Sequence, residues 1–463
     1  MATTPYFILS PNTLLSIIGL IHGPDDTVPT PPEDWREATV DVVIPAFNEE
    51  TNIVLCLASL AKQTRKPKRI ILIDDGSSDR TLEYARSFAE LNGMELVAIH
   101  RDHSIGKTPT LKRQARECDS DVEFILDGDT VLESENYIDR VVEELYKGAG
   151  IASACGTILP LRDRDRRVIA EMESMRKFLG AHPGASIYPR EVWMKHLQRG
   201  ITDMYRDVLY FFLQKFVYHG QMVFFGSILN PVGCAVAYRR EVLKNIVFDR
   251  YEPILGDDLT NSEDIFIGFA INDNGYRNIQ LTDVYARSQE PEVSRLPRQI
   301  YLWSSSFLQS CYYFDELVRS PFKAAKRHFQ KQAEQRALAE GLDQKRKIKE
   351  QYRQPWGIEH TVKYGRPIGW VLFMSAVEKI AFPSILVIML GLGLWEPLAI
   401  TLIAETALSV SILGMVAKGR RLEYIAKGLL VTPLRYSVLL FDFVTMLRFA
   451  ADLWIFGNRR WRK

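Results

Sequence analysis

The sequence predicts a doubly wound α/β domain followed by a helical membrane region. Three observations carry this. Four short apolar runs alternate with helical stretches; three of those runs end in acidic loops; and the last hundred residues are far more apolar than the strongly charged stretch of about fifty residues before them. Strands that alternate with helices build a mainly parallel sheet, and such sheets bind ligands beyond the strands' carboxyl ends.

The chain begins with a short apolar run, Leu14 to Ile21, after Pro11 and Asn12. It is too short to span a bilayer, which needs about 20 apolar residues, and it lacks the basic start of a signal peptide. An interfacial or packing helix is expected, then a Pro-rich linker over 23–37. The first strand, Val40 to Pro45, enters the loop Ala46-Phe47-Asn48-Glu49-Glu50, followed by a helix marked by Ile53, Leu55, Leu57 and Leu60. The second strand, Arg69 to Ile73, ends in Asp74-Asp75-Gly76-Ser77-Ser78-Asp79, where Asp79 is placed to cap a helix from Arg80 to Leu91. The third strand, Glu95 to His100, precedes Gly106-Lys107 and a further helix. The fourth, Phe124-Ile125-Leu126, runs into Asp127-Gly128-Asp129-Thr130. Gly128 is expected to let the chain turn so that both acids face one pocket. Two hard carboxylates a residue apart suit Mg²⁺ or Mn²⁺.

Beyond the fourth strand the signals thin out. Arg162 to Arg167 reads as a solvated helix start, and the aromatic run Tyr205 to Phe225 as core or membrane-surface packing. Asn230-Pro231-Val232-Gly233-Cys234-Ala235 reads as a turn into a strand, its small residues allowing close backbone approach. Glu263 and Asp264 open a helix closed by Gly275, so they serve either as acids at a helix N-terminus or as a catalytic base. Residues 319–366 carry thirteen Lys/Arg against five Asp/Glu, which suits a solvated helix or one lying against anionic headgroups.

The apolar segments 368–395 and 397–416 are long enough to span a bilayer; 422–456 is apolar but holds Lys427, Arg435, Asp442, Arg448 and Asp452. Basic residues at 418–421 and 459–463 both point to the cytoplasmic side, which a single intervening span would contradict. A partly interfacial or re-entrant final stretch, with its charges facing protein or water, resolves the conflict. A net charge of +1 gives no nucleic-acid footprint. Five scattered cysteines without a Cys-x-x-Cys pair argue against structural zinc and a disulfide framework.

Taken in order, Ile44-Pro45-Ala46-Phe47-Asn48-Glu49, Asp74-Asp75-Gly76-Ser77, Gly106-Lys107, Asp127-Gly128-Asp129-Thr130, Gly233-Cys234-Ala235 with Tyr238-Arg239-Arg240, and Glu263-Asp264 with Gly275-Tyr276 resemble the family 2 glycosyltransferases. The likeness is to the membrane-embedded cellulose, chitin and hyaluronan synthases and covers about residues 40–310. It implies a GT-A fold over 38–318, after an N-terminal segment at 1–37 and before a basic connector at 319–366 and transmembrane or interfacial helices at 367–463. It also implies that Pro45, Phe47, Glu49 and Asp75 hold the uridine part of a UDP-sugar, that Lys107 and Asp127 lie at the nucleotide, and that Asp129, with Asp127, holds the metal. Asp264, beside Glu263, becomes the general base. Gly233, Cys234, Gln299 and Trp303 face the acceptor.

One departure stands out. The family's Gln-x-x-Arg-Trp reads Gln299-Ile300-Tyr301-Leu302-Trp303 here, and Ser304-Ser305-Ser306 follows where relatives carry a basic residue. A cation beside the diphosphate is missing, and Arg298 is the neighbouring substitute. The expected activity is inverting, metal-dependent sugar transfer to a growing polysaccharide, with translocation of the chain; the alternative is transfer of one sugar to a polyprenyl or other lipid acceptor. The expected setting is a multi-pass protein of the inner or plasma membrane with a cytoplasmic active site. A secretion partner or homo-oligomer is left open.

Overall fold

The computed structural model describes residues 11–22, 34–148, 150–189, 192–255, 262–323, 326, 328–329 and 357–458. Most of the 23–37 linker and of the basic 319–366 connector, and the tail 459–463, lie outside the described residues.

One eight-stranded sheet organises residues 40–288. Its strands are β1 Val40–Ala46, β2 Arg69–Asp74, β3 Leu96–His100, β4 Val122–Leu126, β5 Thr130–Leu132, β6 Ile151–Pro160, β7 Ala235–Arg239 and β8 Arg277–Ser288, in the spatial order β3-β2-β1-β4-β7-β6-β8-β5. The β3-β2-β1-β4 half is parallel; β7 runs antiparallel to both β4 and β6, and β6 is parallel to β8. The strand order reverses at β1, so the loops after β1 and β4 open towards one crevice. Burial on both faces explains the unbroken apolar runs of β1, β2 and β4. Val43, Ile71 and Ile125 face one core; Val42, Ile44, Leu72, Phe124 and Leu126 face the other.

The predicted helices form between these strands: α1 Pro11–His22 ahead of the sheet, then α2 Ile53–Ala61, α3 Thr81–Leu91 and α4 Lys107–Glu117. Helix α3 starts one residue later than expected, with Arg80 preceding it, and Asp79 accepts a hydrogen bond from the Thr81 amide at 2.9 Å. Strands β6 and β8 were not legible. In β6, Ile-Ala-Ser-Ala-Cys-Gly is rich in small residues with little β preference, and close packing selects them: a β-carbon on Gly156 would lie 2.5 Å from the Tyr137 ring.

After β4 come α5 Tyr137–Tyr146, α6 Asp163–Ala170, α7 Glu173–Ala181, α8 Trp193–Phe212, α9 Tyr218–Phe225, α10 Asp249–Leu255, α11 Glu263–Asp273, α12 Leu296–Tyr313 and α13 Asp315–Val318. The 205–225 aromatic run is mainly core: Tyr205, Phe212, Phe216 and Tyr218 are buried, while Phe224 is exposed. Arg166 corrects the reading of 162–167 as solvated. It is 1 % exposed and donates to the carbonyls of Thr51 and Ile187 and the side chains of Asn52 and Gln289. Helix α1 packs on α9, where a β-carbon on Gly220 would lie 2.7 Å from the Ser16 Cα, yet Leu14, Ile18 and Ile21 remain exposed.

The C-terminal region holds α14 Ile358–Tyr364, α15 Gly369–Gly391, α16 Trp395–Val416, α17 Arg421–Leu430 and α18 Thr432–Ala450. Two of these, α15 and α16, are long and apolar enough to cross a membrane. Helix α15 continues through Pro383. The charges of α18 follow the expectation that they face protein: Arg435 and Asp442 are buried, Arg435 pairing with Glu405 and Asp442 with Lys379 at 2.7 Å. Arg448 is exposed. Helix α18 lies along α12, and one apolar core runs from Val43 in the sheet through Phe307 to Met446 and Phe449.

Candidate active site

The carboxyl ends of β1, β2 and β4, with the start of α4, enclose a cleft of about 210 Å³ lined by Pro45, Phe47, Glu49, Asp75, Lys107, Asp127 and Asp129. Every residue expected at the donor nucleotide is therefore on one surface. Asn48 ties two of the loops: it adopts φ 57°, accepts from the Ser78 amide at 2.9 Å, and its own amide donates to Ser77. Phe47 is half exposed at the mouth. Asp75 accepts from Arg101, Ser104 and the amides of Ile105 and Gly106. Burial opposes its ionisation, but these bonds hold its carboxyl below the usual range. It thereby fixes the loop that presents Lys107.

Gly128 earns its place by space. It does not adopt a positive φ; a β-carbon would sit 3.3 Å from Ala46 Cβ and Glu49 Cγ. The Thr130 amide donates to the Asp127 carbonyl at 2.9 Å, closing the turn. Asp129 accepts from Thr130 and Ser288. Burial, then its acidic neighbours, pushes Glu49 up to about 8 and Asp127 up to about 7, while burial raises Asp129. Crowded, partly desolvated carboxylates are relieved by a cation, so the donor set fits Mg²⁺ or Mn²⁺. Among the described residues no group of three or more His, Cys, Asp or Glu is arranged to hold a metal. Asp127 and Asp129 would share the ion with the donor's phosphates, the usual mode for Mg²⁺.

Lys107 connects this cleft to the second half of the site. Its ammonium lies 2.7 Å from Asp127 and 2.9 Å from Glu263 and donates to the Gly233 carbonyl. Burial works against its charge, yet the two carboxylates hold its pKa well above the ordinary value. Glu263 is thus an ion-pair partner, whereas Asp264 lines a separate cavity of about 70 Å³ with Tyr210, Tyr218, Asn230 and Trp303. Asp264 Oδ1 accepts from the Ser262 hydroxyl at 2.6 Å and the Ile265 amide at 2.8 Å. Ser306 on α12 donates to the Ser262 carbonyl, anchoring this helix start.

Of the four residues expected at the acceptor, Trp303 lines the Asp264 cavity and Gly233 abuts Asp264 itself. The Cys234 carbonyl accepts from the Asp127 amide at 2.9 Å, which places it under the acidic turn. Gln299 accepts from Arg206. Arg206 is the residue that sequence reasoning missed. It is 1 % exposed, its guanidinium carbon lies 4.5 Å from the centre of the Trp303 ring, and its Nε is 3.5 Å from Glu290. It brings a cation to the Gln299–Trp303 pair, whereas Arg298 is exposed. No local signal marks Arg206; only its place on α8 does. Glu290, raised to about 7 chiefly by burial, was missed for the same reason.

With a mixed sheet, an acidic turn after β4 and a cleft at the sheet's carboxyl edge, the chain has a GT-A glycosyltransferase fold. Residues 41–247 match the profile of Glycosyl transferase family 2. An N-acetylglucosaminyltransferase of Azorhizobium caulinodans is 23 % identical over 273 residues, 58 % of this chain and 59 % of the relative. An undecaprenyl-phosphate 4-deoxy-4-formamido-L-arabinose transferase of Pectobacterium carotovorum is 36 % identical over 112 residues, 24 % of this chain and 34 % of the relative. The chain thus spans between a third and three fifths of these curated relatives. A mannosyltransferase from Pyrobaculum calidifontis, solved with GDP-Man and Mn²⁺, superposes with a TM-score of 0.49 at 15 % identity over 96 % of this chain and 94 % of that one.

Proposed function

We propose that the chain transfers a sugar, with inversion, from a nucleoside-diphosphate sugar to the hydroxyl of a lipid-borne acceptor at a membrane surface. The observation that carries this is the Lys107 bridge. One ammonium touches Asp127 of the donor cleft and Glu263, the neighbour of Asp264. The base is thereby held beside the place where the donor's diphosphate would lie.

Glu49, Asp75 and Phe47 border the nucleotide; Asp127 and Asp129 would hold Mg²⁺ or Mn²⁺ against the diphosphate. A bound divalent ion would supply charge neutralisation at the leaving phosphate. Lys107 adds a second positive charge there. Asp264 accepts the proton of the acceptor hydroxyl as the new bond forms, and Trp303 offers a face for the acceptor sugar. A single displacement needs no covalent nucleophile and turns an α-linked donor into a β-linked product.

The lipid-borne acceptor is favoured by the C-terminal helices. Their buried charges are used in pairs, Lys379 with Asp442 and Arg435 with Glu405. The relatives named for undecaprenyl phosphate point the same way. A second reading, processive extension of a polysaccharide, is favoured by Trp303 beside Asp264. Purified protein in liposomes, given UDP-glucose, UDP-N-acetylglucosamine and UDP-glucuronate singly and in pairs with Mn²⁺ or Mg²⁺, tests both. UDP release with a lipid-sized product, lost in Asp264→Asn, supports the first; a long polymer supports the second; no donor turnover under any condition overturns both.

A further inference from the structure

Outside the donor cleft the molecule has a second, larger cleft of about 360 Å³, between the 161–166 segment, α8 and α17. Its lining holds five Arg/Lys side chains (Arg162, Arg164, Arg166, Arg199, Lys427) against two acids, Asp163 and Asp203. Part of this charge is balanced from behind: Arg162 and Lys427 share the buried carboxylate of Asp207, at 2.7 and 2.5 Å. Arg164 is half exposed and only 3.5 Å from Asp165. His196 adds a further donor, 4.0 Å from Asp163. Lys427 also pairs with Glu423 at 2.6 Å and Arg166 is turned inward to Ile187 and Asn52, so Arg164 and Arg199 are the cations offered to a phosphate.

The rim has the opposite character. On α8, Trp193, Leu197 and Ile201 recur every fourth residue and are 73 %, 56 % and 39 % exposed. Leu422 and Leu430 of α17 are 83 % and 69 % exposed. A cationic floor with an exposed apolar helix face at its edge is the form that lies on a bilayer and receives a charged headgroup while the tail stays in lipid.

The cleft is also in line with the catalytic acid. Helix α8 contributes Arg199, Asp203 and Met204 to the cleft, Arg206 to the Trp303–Gln299 pair, and Tyr210 to the Asp264 cavity. From Arg199 to Tyr210 the helix rises about 16 Å, the scale of a short saccharide joined to a phosphate. We propose that this cleft binds the phosphate of the lipid-linked acceptor, so that the acceptor's phosphate rests on Arg164 and Arg199 while its sugar hydroxyl reaches Asp264. The proposal rests on the reading that the acceptor is lipid-borne.

The test uses the full chain in detergent, with farnesyl phosphate, farnesol and inorganic phosphate as probes and tryptophan fluorescence or calorimetry as readout. Farnesyl phosphate is expected to bind at least about tenfold more tightly than either other probe. Arg199→Gln and the half-exposed Arg164→Gln are each expected to weaken it by about tenfold with an unchanged melting temperature. Inorganic phosphate binding as tightly as farnesyl phosphate overturns the lipid source. Farnesol binding as tightly, or no effect of either substitution, overturns the phosphate site. Asp264→Asn is expected to keep farnesyl phosphate binding while losing transfer. Charge-dependent binding without turnover on any UDP-sugar would leave the cleft standing and remove the functional reading; transfer to a lipid acceptor with charge-independent binding would do the reverse.

Discussion

Gly233 and Asp264 touch so closely that a β-carbon on the glycine would fall 2.6 Å from Asp264 Cβ and 3.0 Å from its Oδ2. No real side chain tolerates that approach, so the acid's position depends on the absence of one. Gly233→Ala is expected to displace Asp264 and lower kcat by about a hundredfold, with destabilisation of only about 1–3 kcal/mol. UDP release and a thermal melt on the same preparation check this; a kcat within a factor of about two of wild type would remove Gly233 from any positioning role.

Arg206 brings a cation to the Gln299–Trp303 segment, which lacks the expected arginine. Lysine keeps the charge but not the planar fork over Trp303. Arg206→Lys is therefore expected to raise the acceptor KM by about tenfold with little change for the donor. Arg206→Met leaves Glu290 buried beside a lost partner and is expected to cost about 3–5 kcal/mol of stability. Adding Leu302→Arg to Arg206→Lys tests whether the cation can be returned from α12: recovery of the acceptor KM supports the substitution.

Divalent metal should be readable without turnover. Glu49, Asp127 and Asp129 repel one another across the donor cleft. Mn²⁺ with UDP is expected to raise the melting temperature of the wild type and not of Asp129→Asn, because ligand binding to the folded state alone stabilises it. Chelation by EDTA should abolish UDP release, and Mn²⁺ should restore it.

Glu123 gives a pH dependence far from the metal pair. It is fully buried in β4, and both its carboxylate oxygens lack hydrogen-bond partners among the described residues. Burial, then Asp41, pushes it up to about 8, with Arg240 pulling the other way. The folded chain therefore holds this proton more tightly than the unfolded chain, whose value is near 4.5. Its share of stability is full below about pH 4.5 and is lost as pH rises through about 8, a change on the order of a few kcal/mol. Glu123→Gln should flatten that decline, as melts at about pH 6 and about pH 9 would reveal.

Asp442 of α18 links α15 to α12. It accepts from Ser304, the residue after Trp303, and pairs with Lys379 at 2.7 Å. Asp442→Ala leaves Lys379 buried without its carboxylate and is expected to cost about 3 kcal/mol or more. Unfolding in detergent measures the loss. An accompanying rise in acceptor KM would show that α18 holds Trp303 in place; an unchanged KM would limit Asp442 to stability.

Much of the donor side was legible because its signals are local. Val40 to Pro45, Arg69 to Ile73 and Phe124 to Leu126 are buried on both faces, so each appears as an apolar run, and each ends in the polar loop that faces the cleft. The resemblance to the family 2 glycosyltransferases picked out Pro45, Phe47, Glu49, Asp75, Lys107, Asp127 and Asp129, and the structure gathers them on one surface. Strand β6 was hidden because tight packing at Gly156 favours small residues over β-formers.

The chain's own pattern determined the alternating parallel half-sheet, the acidic turn after β4, the helix beginning at Glu263 and the two long apolar helices, since each depends on neighbours within a few residues. Tertiary structure alone decided that Lys107 would join Asp127 to Glu263, that Arg166 in a charge run would be buried, and that Arg206 would bond Gln299 from 93 residues away. The physical reason is that a buried charge is tolerable only with a partner in place. Which residue becomes that partner follows from how helices dock on the sheet, and no window of sequence contains both ends of such a contact.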